Sequence, residues 1–292
     1  DVYKRQRQEY SPVKILSRLL STVAAAVLTV GLCAPAAQAQ MGLAQLSSGS
    51  SQFAVDGLVD SFAPPRGGGI TLPANLQPRI YVADRKAAQY FTNAGRLEPG
   101  VAIYNNDVKA QCSAGHIVGD GHDFFVVTAG HCGDPGHRFY YRDRAGNPVL
   151  FGHMTVETEN TNRDGYISSP DIGLIRITNP SAQYSATPAL KGKVNGWLSL
   201  EQVDRIKPTI CRIGATRGYS CGNYLAAKPE IGAFFFGNDG YYGDSGGAVY
   251  ALIDGQYYPI GIYSGSMNTD DRINMAMELG HIMNHFGLKV YS

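Results

Sequence analysis

The sequence predicts an all-β protein whose antiparallel sheets close into barrels, followed by one C-terminal α-helix. Short apolar runs rich in Val, Ile, Phe and Tyr recur between turn signals, and such side chains fit a pleated surface. Amphipathic helices do not intervene between these runs, which favours antiparallel closure. The 292 residues include 35 glycines and 18 tyrosines but one tryptophan, a mixture suited to strands joined by many turns. A chain of this length holds one large or two small domains. The net charge of +1 gives no field to attract nucleic acid or an anionic membrane.

Taken in order, the chain opens with a segment read as a targeting signal. Asp1–Gln6 reads as an adapter-derived end. Lys14 and Arg18 form a basic region, Leu19 to Leu32 an apolar one, and Ala37-Gln38-Ala39 a small-x-small cleavage site. The apolar run is too short for a membrane anchor, and Leu32 is too bulky for lipidation at Cys33. Residues 1–39 are therefore a signal peptide region and the product a secreted monomer. Residues 40–99 read as a flexible extension or the pro-segment of a zymogen, with Ser47-Ser48-Gly49-Ser50-Ser51 and Pro64-Pro65-Arg66-Gly67-Gly68-Gly69 marking disorder. A short helix is expected around Asp84–Phe91, and the folded domain spans 100–292.

Within that domain, strands are expected over Val101–Tyr104, His116–Val118, Phe124–Thr128, Arg138–Tyr141, Val149–Phe151, Ile172–Ile177, Ala233–Phe236, Ala248–Ile253 and Tyr257–Tyr263. Met275, Leu279, Ile282, Met283 and Phe286 recur at three- and four-residue steps, the stripe of a terminal helix. Gly287 stands where a glycine cap belongs. Removing the signal leaves four cysteines, Cys112, Cys132, Cys211 and Cys221. An even count in an exported chain indicates disulfides, and sequential pairing encloses the shortest loops. A zinc site would need closer spacing or a histidine pattern. No metal or other cofactor is expected.

Two motifs carry chemistry: Thr128-Ala129-Gly130-His131-Cys132 and Gly243-Asp244-Ser245-Gly246-Gly247. A serine hydroxyl is a poor nucleophile until a base takes its proton, and histidine suits that role near neutral pH. The imidazole needs a buried carboxylate to fix its tautomer. Asp171, in Ser168-Ser169-Pro170-Asp171-Ile172-Gly173-Leu174-Ile175, lies between base and nucleophile and precedes an apolar run, a better setting than Asp143, Asp164 or Asp204 have. The backbone N–H groups of Gly243 and Ser245 are the expected donors to an oxyanion.

Several segments resemble the bacterial chymotrypsin-like peptidases of the alpha-lytic protease and streptogrisin type. They are Cys112-Ser113-Ala114-Gly115, Cys211-Arg212-Ile213-Gly214-Ala215-Thr216-Arg217-Gly218-Tyr219-Ser220-Cys221-Gly222, Gly261-Ile262-Tyr263-Ser264-Gly265-Ser266, and His281-Ile282-Met283-Asn284-His285-Phe286-Gly287-Leu288. The resemblance covers residues 100–292. It implies two six-stranded barrels with the triad in the cleft between them, and a serine endopeptidase acting on polypeptides. It also implies that Arg212 pairs with Asp244, that Ser264 hydrogen-bonds Asp171, and that Ser264, Gly265 and Ser266 present backbone to substrate. The alternative is a non-enzymatic binding protein on the same fold.

Selectivity is where the chain departs from those relatives. Asp239 lies six residues before Ser245, the spacing at which trypsin-like enzymes place a carboxylate for basic side chains. Asn238-Asp239-Gly240 also reads as a plain turn. Tyr242 differs from either group, and Tyr263 narrows the pocket. His281 and His285 lack the glutamate of a zinc motif and read as helix surface.

Overall fold

The computed structural model describes residues 72–157, 170–267 and 270–291; the signal region and the first part of the extension lie outside them. The described chain enters with strand β1 (Ile80–Asp84), a 3-10 turn (Arg85–Ala87) and helix α1 (Ala88–Asn93). Seven strands follow: β2 (Ala102–Asn105), β3 (Ala110–Ser113), β4 (Ile117–Gly119), β5 (Phe124–Thr128), β6 (Arg138–Arg142), β7 (Pro148–Glu157) and β8 (Gly173–Ile177). Helix α2 (Leu200–Ile206) leads to β9 (Thr209–Gly214), β10 (Gly218–Lys228), β11 (Ala233–Gly237), β12 (Ala248–Ile253), β13 (Gln256–Met267) and β14 (Asp270–Glu278). Helix α3 (Gly280–Phe286) and the short strand β15 (Lys289–Val290) end the chain.

Both sheets are antiparallel. In the second, the order β10-β11-β14-β13-β12-β9 returns to its start because β9 also pairs with β10, giving a closed six-stranded barrel. In the first, β5, β8, β7, β6 and β2 lie between β4 and β3. Those two end strands belong to one continuous run. Across Ala114–His116 the run stays bonded, with Ala114 N donating to Val101 O at 2.8 Å, Gly115 N to Val127 O at 2.8 Å and Val127 N to His116 O at 2.9 Å. Residues 110–119 therefore act as one bent strand that pairs at each end with a different neighbour, which makes this sheet six-stranded as well. The two-barrel expectation holds.

The expected apolar runs fill the barrels. Val126 and Val127 from β5, Phe139 from β6, Phe151 from β7 and Ile175 from β8 are fully buried, each such side chain contributing about 1.5–3 kcal/mol. The second barrel buries Phe234, Phe236, Val249 and Ile260. Both disulfides form as expected, Cys112–Cys132 and Cys211–Cys221. The second bridges residues directly opposite one another on β9 and β10. Among the described residues no helix is long and apolar enough to cross a membrane.

Two boundaries differ from the sequence reading. Met275 belongs to β14 rather than the terminal helix, because Asn274–Glu278 pairs as a strand with β11 on one side and β13 on the other. Of the proposed stripe, Leu279, Ile282 and Met283 are buried and Phe286 is exposed, while Gly287 does cap the helix with φ +63°. At the other end, packing begins before Pro99. Strand β1 pairs with β10, and Phe91 and Leu97 are buried. The expected short helix is present but runs over Ala88–Asn93, directly after the 3-10 turn that Asp84 caps through Lys86 N.

His116 ties the barrels together. It leaves the first barrel buried at 2% exposure, with Nε2 2.9 Å from the Gly261 carbonyl of β13. Burial pushes its pKa down to about 4. An unfolded histidine titrates near pH ~6.5, so between those values the unfolded chain binds a proton that the fold refuses. Stability therefore falls as pH drops through that window, by on the order of 3 kcal/mol. Urea unfolding at pH 7 and pH 5 should show a smaller loss in His116→Gln than in the wild type; equal losses contradict this assignment.

Candidate active site

Strand β5 ends at Thr128, Ala129 continues extended, and Gly130–Cys132 forms a single 3-10 turn. The turn lifts His131 to the barrel rim, and the Cys112–Cys132 disulfide anchors it to β3. Pairing of β5 with β8 sets Thr128 opposite Gly173, which brings Asp171, just before β8, beside His131. Asp171 is 1% exposed, and a carboxylate so placed must have its lone pairs satisfied. His131 N donates to Oδ1 at 2.9 Å, and His131 Nδ1 lies 2.8 Å from Oδ2. Ser264 Oγ, arriving from β13 in the other barrel, donates to the same Oδ2. Burial opposes ionisation of Asp171, but His131 and Ser264 outweigh it and hold the carboxyl below the usual carboxylate range.

The glycine-rich turn between β11 and β12 presents Ser245. Gly243 and Gly246 sit at φ +84° and +81°, left-handed backbone that favours glycine. Ser113 N donates to Ser245 O at 2.7 Å, Gly246 N to Tyr263 O at 2.7 Å, and Gly247 N to Asp244 O at 2.9 Å. By contrast, the N–H groups of Gly243 and Ser245 donate to no acceptor among the described residues. A substrate oxygen placed there would meet two preorganised donors.

Asp244 turns inward. It and Arg212 are both 0% exposed and pair through Nη1 and Oδ1 at 3.1 Å. Thr216 N and Arg217 N donate to Asp244 Oδ1 at 2.9 and 3.1 Å, and Tyr241 N to Oδ2 at 3.0 Å. Full burial pushes the Asp244 pKa up, yet every donor around it fits a carboxylate rather than a carboxylic acid. Arg212 is satisfied in turn by Asn238 Oδ1 at 3.0 Å and Asp239 O at 2.9 Å.

The Thr128–Cys132 and Gly243–Gly247 motifs meet. A Cβ on Gly246 would stand 2.0 Å from Thr128 Oγ1 and 2.9 Å from Ala129 N, so the absence of a side chain there lets the Ser245 turn press against the His131 strand end. Cys132 Sγ lies 4.0 Å from Ser245 O. Asp143 and Asp204 are occupied elsewhere, in a hairpin turn with Ala145 N and Asn147 N and under the Tyr224 hydroxyl. Asp164 lies outside the described residues.

Ser245 lines a cavity of about 510 Å³. Asp239, Tyr242, Tyr263, Gly265 and Ser266 line it too, whereas Ser264 is taken up by Asp171. Sequence reasoning missed Arg85, Arg217, Tyr241 and Arg272, which share the wall. Cys112, Cys132 and His131 place three donor atoms within 4.8 Å of one another. The two sulfurs are bonded to each other and so are not thiolate ligands.

Solved structures share this fold. One is Thermobifida fusca protease A, at a TM-score of 0.50 and 22% identity over 68% of this chain and 99% of its own. Another is a Nocardiopsis protease, at 0.50 and 18% over 68% and 100%. At such identities the likeness shows the fold, which is that of the bacterial chymotrypsin-like serine proteases. The sequence matches no protein-family model and no curated protein.

The Arg212–Asp244 pair yields a direct test. Arg212→Ala leaves a carboxylate buried without its counter-charge, which should cost about 3–5 kcal/mol in urea unfolding. A loss below about 1 kcal/mol contradicts the assignment.

Proposed function

We propose that this chain is a secreted serine endopeptidase that hydrolyses polypeptides through an acyl-enzyme. The reading is carried by one observation: a buried carboxylate holds the Nδ1 side of His131 next to the turn that bears Ser245. His131 accepts the Ser245 hydroxyl proton as the oxygen attacks the scissile carbonyl. The charge that develops on the carbonyl oxygen is met by the N–H groups of Gly243 and Ser245. The imidazolium then gives its proton to the leaving amine, and a water repeats the sequence to release the acid. Asp171 keeps Nδ1 protonated and stabilises the imidazolium without taking the proton itself.

Arg212 holds Asp244 with no need for a newly cut N-terminal amine, so the turn keeps its shape whatever the maturation site. Ser264–Ser266 offers backbone to an extended substrate strand, a mode of binding that gives affinity without side-chain selectivity. Two disulfides and the segment read as a signal support export. In this reading the protein is a monomer, and of the extension expected over 40–99, residues 40–78 are a pro-segment or spacer.

A fluorophosphonate should label the protein covalently at Ser245, and Ser245→Ala should abolish labelling. Labelling together with casein degradation supports the endopeptidase; labelling with ester hydrolysis alone makes it an esterase, and no labelling of a folded protein overturns the reading.

The base must be neutral to accept a proton. Casein cleavage should therefore be faster at pH 8 than at pH 5. The reverse trend contradicts His131 as the base.

A further inference from the structure

The wall of the Ser245 cavity includes residues from well before the expected start of the domain. Strand β1 lies along β10, with Val82 opposite Cys221 and Asp84 opposite Tyr219. The barrel is shaped to receive this segment. A Cβ on Gly237 would stand 2.5 Å from Arg79 O, and one on Gly218 would stand 2.4 Å from Asp84 O. Asn223 bonds Arg79 in both directions, through Arg79 N to Oδ1 at 2.7 Å and Asn223 N to Arg79 O at 3.1 Å. The turn that follows delivers Arg85 to Asp239. Arg85 Nε lies 2.7 Å from Oδ2 and Nη2 lies 2.9 Å from Oδ1, so one guanidinium takes both carboxylate oxygens. Asp239 is itself 14% exposed while Arg85 is 61% exposed, the arrangement of a carboxylate in a pocket wall reached from outside.

We propose that Arg85 is a specificity-determining residue, an internal guanidinium that occupies Asp239 and closes the primary pocket to lysine and arginine side chains. Segment 79–93 is then a lasting part of the enzyme rather than a piece lost on maturation. The remaining wall sets what the pocket takes. Tyr241, Tyr242 and Tyr263 line it, and the Tyr263 hydroxyl closes on Gly240, where a Cβ would stand 2.4 Å away. Arg217 is stacked on Tyr241 at 4.6 Å, and Arg272 is paired with Asp270. Of the other carboxylates, Asp244 belongs to Arg212, and Asp271 lines the wall next to the Arg272 guanidinium, whose charge it offsets. Peptides with an uncharged side chain at the scissile residue are the fitting substrates. This inference rests on the peptidase reading for its consequence, and on the Arg85–Asp239 pair for its substance.

The test uses benzamidinium, a planar amidinium that mimics the arginine head, titrated calorimetrically into the full chain carrying Ser245→Ala. Binding does not require turnover, so this arm reads the pocket even if the peptidase reading fails. In the Ser245→Ala background, benzamidinium should bind weakly. Adding Arg85→Ala should tighten it by about tenfold or more, and adding Asp239→Asn to that variant should reverse the gain. Arg85→Gln, which keeps the side-chain stem, should behave as Arg85→Ala does and guards against a packing effect. In the active protein, mass spectrometry of casein fragments should show no enrichment of cuts after Lys or Arg until Arg85 is replaced. Tight benzamidinium binding with Arg85 in place, or no gain from either Arg85 variant, overturns the proposal. Absence of casein cleavage with the titration pattern intact overturns the peptidase reading alone.

Discussion

The carboxylate of Asp171 is the constraint on which the site depends. A charge removed from water has to be met by donors on every side, and here the donors come from both barrels. His131 N and Nδ1 belong to the first, and Ser264 Oγ belongs to the second. Satisfying one buried group therefore fixes the imidazole and fastens β13 to the first barrel. His116 repeats that fastening with no charge, through the Gly261 carbonyl three residues earlier on the same strand. The cleft in which Ser245 stands is a consequence of these ties.

A second buried charge shapes the other half. Asp244 draws three backbone N–H groups and Arg212 inward, while the Gly243 and Ser245 N–H groups have no acceptor among the described residues. Arg212 spends its other donors on Asn238 Oδ1 and Asp239 O. One guanidinium thus supports both the Ser245 turn and the backbone of Asp239 in the pocket wall. Replacement at Arg212 acts on stability and on the cleft together, whereas replacement at Arg85 acts on the pocket wall.

Much of this was legible in the sequence, for physical reasons that differ by residue. The Ser245 motif stands out because left-handed backbone and close packing require glycine at Gly243 and Gly246. Strands such as Phe124–Thr128 and Ala248–Ile253 stand out because buried strands read as apolar runs. β10 did not, since Gly218–Lys228 breaks its apolar residues up with Gly, Ser, Asn and Lys. β14 was partly absorbed into a helical stripe because Met275 and Leu279 also fit a four-residue step. α2 carried an unread signal, the Ser199–Gln202 capping box. Arg85 was beyond reach. Its partner lies 154 residues away, and neither residue belongs to a periodic pattern that would bring them together.

The central claim is that Asp171, His131 and Ser245 work as one proton-transferring unit, and non-additivity measures this most directly. The second-order rate of Ser245 acylation by an activated ester should be compared in His131→Ala, Asp171→Asn and the double variant. Residues acting as a unit lose their shared contribution only once. The account predicts that the double variant is no slower than His131→Ala alone. Losses that multiply, with Asp171→Asn slowing the protein as much without the imidazole as with it, would contradict it.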